Sequence, residues 1–254
     1  MRFLCLHGRG TDADIFKSQT ARLRETLGPE HEYVFVNGNV RARARAGACH
    51  SMALLARPHL GPDPVTRRTH CHALGLTADT TYGPQGLGFW PLDDADEDRT
   101  RRVYYDLIAF IASRGPFDGL MAFSEGASVA ATLLAELARP DSDEPIAAFR
   151  CAVFFCGLPP LDLQLHKSGR AIRLLEPAVD GVAVRLPTAH IWSGVGQVLP
   201  DAGRHLAALC DPDTREELIH DLGHQVPGSR SEQGLRQTVR VIERTLQRAK
   251  SCSS

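Results

Sequence analysis

Ala122-Phe123-Ser124-Glu125-Gly126 departs from the pattern G-x-S-x-G only at its first residue. The pattern needs small residues around the serine because a strand must turn sharply into a helix and leave the hydroxyl exposed at the bend. A serine so placed attacks acyl carbonyls once a neighbouring base takes its proton. Serine also opens helices as an N-cap, so the pentapeptide alone leaves both roles open for Ser124. Leu6-His7-Gly8-Arg9-Gly10 follows the first apolar run. A tight, glycine-bearing turn there can aim the N–H of Arg9 at a developing oxyanion, and the N–H of Glu125, next after the serine, would complete the hole. His7 itself reads as structural. The third segment is His220-Asp221-Leu222-Gly223-His224-Gln225-Val226-Pro227. His224, on its glycine-bearing loop, has the late position that a base needs, and His220 at the strand end is its weaker competitor.

These residues need a scaffold. Short apolar runs at Phe3–Leu6, Tyr33–Val36, Leu120–Phe123, Cys151–Cys156 and Ala189–Trp192 read as strands, the fully apolar ones buried, and Glu217–His220 reads as a further strand. Between them, helical spacing marks Asp14–Leu27, Arg99–Ser113, Glu125–Leu137, Ala202–Cys210 and Gly234–Lys250. Strands alternating with amphipathic helices predict an α/β domain on a mainly parallel sheet, with helices on both faces. Residues 40–98 lose periodicity yet carry Leu54, Leu55, Phe89 and Trp90. With the 157–187 segment and its Leu165, this excursion is expected to flank a pocket mouth and offer an apolar acyl site, ordinary core being the alternative.

The composition excludes several classes. The chain has 254 residues, 43% hydrophobic and 23% charged, and a net charge of −1, which suits one globular domain and no broad nucleic-acid face. No apolar run reaches membrane-span length, and Met1–Leu6 is stopped at once by His7-Gly8, so neither a membrane segment nor a signal peptide is expected. Seven cysteines without a C-x-x-C pair read as reduced core residues of a cytoplasmic protein. His50, His59, His70 and His72 with Cys49 and Cys71 lack any structural-zinc spacing, so no metal is expected, and no phosphate-binding glycine loop implies a cofactor. Arg41, Arg43 and Arg45 read as a solvated loop rather than a phosphate site.

The chain resembles the fungal serine hydrolases of the α/β-hydrolase superfamily, which include small esterases and thioesterases that release polyketides from their synthases, such as the lovastatin release enzyme. The resemblance is carried by Phe3-Leu4-Cys5-Leu6-His7-Gly8, by Phe117-Asp118-Gly119 through Ser124-Glu125-Gly126-Ala127, by Gly157-Leu158-Pro159-Pro160, and by Asp221 through Pro227. It implies a compact α/β-hydrolase whose sheet begins with the oxyanion strand, without the leading strands of larger members. It further implies Ser124 as nucleophile, His224 as base, and Arg9 and Glu125 as oxyanion donors. The substrate would be a small or carrier-protein-bound acyl ester or thioester, with a polyketide synthase as a partner. The family places its acid after the strand at Ala189–Trp192 in a pattern like H-x-x-G-x-x-D, where this chain reads His190 through Gly196 and puts glycine at the aspartate position. Asp201 is the nearest acid and also suits the N-cap of the next helix; Asp162 is the second candidate. Without an acid, a pocket used for cyclisation, dehydration or acyl transfer, or a silent acyl-binding protein, stays open.

Overall fold

The computed structural model describes residues 1–42, 86–91, 97–140, 142, 149–163, 171–195, 199, 201–228 and 231–251. Six strands form one parallel sheet: β1 (Arg2–Leu6), β2 (Glu32–Val36), β5 (Gly119–Phe123), β6 (Cys151–Phe155), β9 (Thr188–Ser193) and β10 (Arg215–His220). Their order across the sheet is β10-β9-β6-β5-β1-β2, so β1 lies inside it, pairing Leu6 with Val36 on one side and with Ala122 on the other. Two small antiparallel pairs accompany the sheet: β3 (Val40–Ala42) with β4 (Gly86–Gly88), and β7 (Leu161–Asp162) with β8 (Arg173–Leu174).

Side chains alternate across a strand, so each inner strand feeds two cores. Phe3 and Cys5 join Met121, Phe123, Val153, Phe155 and Ile191 on one face. There they meet α1 (Ala13–Gln19), α2 (Ala21–Leu27) and α7 (Glu232–Ser251), through Phe16, Leu23, Leu235, Val239 and Ile242. Leu4 and Leu6 join Leu120, Ala122 and Phe154 on the other face. That face is covered by α3 (Glu97–Arg114), α4 (Glu125–Leu137) and α6 (Ala202–Ala208), with the short α5 (Pro177–Asp180) following β8. Burial on both faces explains why the inner strands read as continuous apolar runs, and the edge strand β10 as a mixed one.

The expected helix from Asp14 to Leu27 is two helices. The junction is Thr20, at φ −94°, ψ 2°, whose hydroxyl donates to the Phe16 carbonyl at 2.8 Å and accepts from Arg24 Nε at 3.3 Å. Of the excursion, β3 and β4 are its described edges. Leu54, Leu55, Leu165, Arg43, Arg45 and the six-residue His/Cys set lie outside the described residues. Phe89 and Trp90 are buried in the core cluster at 5% and 3% exposure. Cys5, Cys151, Cys156 and Cys210 are buried and outside any disulfide. Among the described residues no helix is long and apolar enough to cross a membrane, and no group of side chains could hold a metal.

Candidate active site

In an all-parallel sheet every carboxyl end points to the same edge, and loops from several strands converge there. Ser124 follows β5, the His7–Gly10 turn follows β1, Cys156 follows β6, Ser193 ends β9, and the His224 loop follows β10.

Ser124 sits at φ +54°, ψ −114°, in the left-handed half of the map that few side chains adopt. Its N–H donates to the Phe155 carbonyl at 2.9 Å, which pins the bend to the neighbouring strand. Strain of this kind persists only where the surroundings over-determine it. One such constraint is Gly126: a Cβ there would stand 2.4 Å from the Leu6 carbonyl oxygen and 2.5 Å from that of His7. Only glycine lets α4 cross the end of β1 this closely. Ala122, the departure from the motif, points into the core with its methyl fully buried, so the strand position tolerates it. Ser124 does occupy the N-cap position of α4, but its hydroxyl makes no capping bond. It meets His224 instead, Oγ to Nε2 at 3.0 Å, with both residues buried.

The His224 ring packs against Phe123 at 5.1 Å between centroids. Burial, and secondarily the charge of a protonated His220, holds its pKa down to about 4. The base is therefore neutral at physiological pH, the state in which Nε2 can accept the serine proton. His220 is also held at about 4 by burial, and its Nδ1 accepts from the Leu222 N–H at 3.2 Å. The loop is braced further: Ser193 Oγ accepts the Gly223 N–H at 3.1 Å, and Cys156 Sγ approaches the Gln225 carbonyl at 3.6 Å.

His7 is structural. It is fully buried, its Nδ1 bonds the Gly8 carbonyl at 2.8 Å, and its Nε2 accepts the Gly38 N–H at 3.0 Å. Burial lowers its pKa, in keeping with a neutral ring. It ties the oxyanion turn to the chain entering β3. A Cβ at Gly8 would lie 3.4 Å from Ser124 Cβ, so this turn abuts the nucleophile. Within it the Gly10 N–H is spent on the Leu87 carbonyl at 2.8 Å. The expected donors Arg9 and Glu125 thus flank Ser124, one on the turn and one at the first residue of α4.

The acid requires a correction. Asp201 is not brought to His224. It stands before α6 at φ +64°, its side chain is 79% exposed, and its carboxylate faces Arg204 at 3.9 Å. Backbone geometry explains this, because Asp201 occupies the N-cap position of α6 and the helix axis carries its side chain out to solvent. Asp162 is buried on β7, where its charge is committed to Arg173 at 3.0 Å and Arg139 at 3.6 Å. Gly196 lies outside the described residues. Sequence patterns do not single out two contributors seen here. Ser193 is one more residue of an apolar strand until the fold lays Gly223 beside it. The Glu125 side chain is an anonymous motif position until it is seen buried against Arg9 at 2.9 Å.

The chain has relatives among known proteins. The chain is 33% identical over 234 residues to the esterase FPY3 of Fusarium mangiferae, covering 89% of this chain and 88% of that one. It is 32% identical over 242 residues to the hydrolase phiM of Talaromyces stipitatus, covering 89% and 81%. Among solved structures, acyl-protein thioesterase 2 of Zea mays matches with a TM-score of 0.55 at 14% identity, over 96% of this chain and 93% of that one, a likeness of fold. The model of one family, serine hydrolase (FSH1), matches residues 1–235 and so takes in the elbow, the oxyanion turn and the histidine loop together. The serine and histidine that meet at 3.0 Å both lie within the matched span, and the chain belongs to the FSH1 family of serine hydrolases.

Proposed function

We propose that this protein hydrolyses an ester or thioester of a small or carrier-bound acyl group, polyketide-like in character, in secondary-metabolite biosynthesis. The observation that carries the reading is the 3.0 Å contact between Ser124 Oγ and His224 Nε2 on the strained elbow. As Oγ attacks the acyl carbonyl carbon, its proton passes to Nε2. The carbonyl electrons move onto oxygen, and that oxyanion is met by the N–H groups of Arg9 and Glu125. Collapse expels the alkoxide or thiolate, which takes the proton from His224. Water then repeats the sequence on the acyl-enzyme and frees the acid.

A base held near pKa 4 is always ready to accept but binds its proton weakly. Such a site suits acyl groups with good leaving groups, which favours thioesters and activated esters over amides. The esterase named among the relatives supports the ester class. Intact-mass labelling with a fluorophosphonate is expected to add one group to the wild type and none to Ser124→Ala, which should also lose ester turnover. Turnover that survives in Ser124→Ala refutes the reading.

One alternative is acyl transfer or cyclisation on the same serine, motivated by Asp201, whose side chain is 79% exposed and faces Arg204 rather than the histidine loop. Gly196→Asp then raises hydrolysis of model esters without raising the native reaction. A rise in both restores hydrolysis as the native chemistry.

A further inference from the structure

A carboxylate immediately after the nucleophile is an unfavourable neighbour for an oxyanion, because like charges repel across a low-dielectric site. Glu125 is such a residue and is only 2% exposed. Its charge is fully engaged elsewhere: Oε1 accepts Arg9 Nη1 at 2.9 Å and the Trp90 N–H at 3.3 Å, and Oε2 accepts the Phe89 N–H at 3.0 Å. Burial raises the Glu125 pKa, and the Arg9 charge and these donors pull the other way. Three donors converging on two oxygens is a carboxylate's geometry, and an amide in the same place would turn its NH₂ toward one of them.

The partner is equally telling. Arg9 sits between Gly8 and Gly10, the latter at φ +79°, so the backbone of this turn is poorly restrained by itself. Its guanidinium supplies the restraint: Nη1 holds Glu125 and also donates to the Trp90 carbonyl at 2.8 Å. The strap of residues 86–90 closes over the pair. A Cβ on Gly88 would stand 2.9 Å from Arg9 Nη1 and 3.0 Å from Glu125 Oε2, so a side chain there would have to push the pair aside. Leu87 exchanges backbone bonds with the same turn, from Gly10 at 2.8 Å and to Thr11 at 2.9 Å. At the far end Trp90 Nε1 donates to Ser128 Oγ at 3.3 Å, one turn further along α4.

We infer that the Arg9–Glu125 pair, seated under the strap of residues 86–90, is a positioning device that fixes the distance between the two oxyanion N–H groups. The two residues whose backbones would form the hole are the two whose side chains are joined. The strap therefore sets turnover as well as packing. This inference rests on the hydrolase reading above.

The test uses Glu125→Gln and Arg9→Met, both of which keep the backbone N–H, on a p-nitrophenyl acyl ester. Each is expected to lower kcat about 10- to 100-fold, short of the ~10²–10³ for deleting an oxyanion donor, with KM within about twofold. Amide exchange at Leu87–Trp90 should quicken in the same variants. Glu136→Gln, which removes another buried carboxylate of α4 that accepts the Leu163 N–H at 3.0 Å, should destabilise the fold with kcat unchanged. Should Glu125→Gln fail to fold, Ser128→Ala loosens the strap from its far end and is expected to give a smaller kcat loss in the same direction. A loosened strap with wild-type kcat overturns the inference alone, as does an effect carried wholly by KM. A wild type that neither turns over nor labels overturns the hydrolase reading, and the inference falls with it.

Discussion

The hydroxyl of Ser124 and the ring of His224 meet in a setting that withholds water from the base. That has a measurable consequence, because a histidine held at about 4 stays unprotonated where an ordinary one, near 6.5, does not. The sign follows from the depressed pKa: the competent neutral form persists as pH falls, and is lost only on approaching 4. Hence kcat/KM per folded molecule at pH 5.5 is expected within about twofold of its value at pH 7.5, where a base of ordinary pKa would lose about 90%. A tenfold fall over that interval, measured with circular dichroism confirming the fold, would mean that an anionic partner supports the ring. At this scale the sequence was legible for Ser124 and His224, since a nucleophile elbow and a late glycine-flanked histidine are local patterns. The acid was not. Asp201 has a suitable place in the chain, but its direction depends on how α6 leaves the sheet, which no local pattern records.

At the scale of elements, the site is held by loops that clamp one another across the sheet edge. Ser193 ends β9 fully buried, and its hydroxyl accepts the N–H groups of Gly223 and Val195 at 3.1 and 3.2 Å. Ser193→Ala removes the acceptor of both N–H groups, and because Val195 is exposed and Gly223 partly so, the loss is that of ordinary hydrogen bonds, about 0.5–1.5 kcal/mol each. It should also let the loop carrying His224 drift, lowering kcat about tenfold with little change in KM. Thermal unfolding and steady-state kinetics on the same preparation check both parts, and a stability loss without a kcat loss would confine Ser193 to packing. The helices show the same dependence on neighbours. Nothing in the spacing of Phe16, Leu23 and Leu27 announces the break at Thr20, where the backbone turns to φ −94°, ψ 2° and the buried hydroxyl bonds the Phe16 carbonyl.

At the scale of the whole molecule, the two-faced core has taken in histidines that must stay neutral. His190 in β9 is held to about 3 by burial and His224 to about 4, each far below its unfolded value. For a depressed pKa the folded state binds fewer protons than the unfolded one, so stability is complete above about 6.5 and falls as pH drops toward the folded values. The slope is about 1.4 kcal/mol per pH unit for each such histidine, or about 2 kcal/mol each between pH 6.5 and 5. Urea unfolding at pH 7.5 and 5.0 should show the loss, and His190→Asn should shrink it. An unchanged midpoint would place these rings in contact with water.

By itself the sequence determined the alternation of strands and helices, the two-sided burial of the sheet, and the identity of the elbow and the histidine loop. Each is written in near neighbours: apolar runs of strand length, glycines where backbones cross, a serine between small residues. Only the tertiary structure decided which loops touch. It placed Asp201 in solvent, committed Asp162 to two arginines, and set Ser193 beneath Gly223. It also joined Arg9 to Glu125 across 116 positions of chain. The physical reason is one of range. Propensity and periodicity act over a few residues, whereas a buried charge or hydroxyl takes the partner that packing of distant segments leaves within reach.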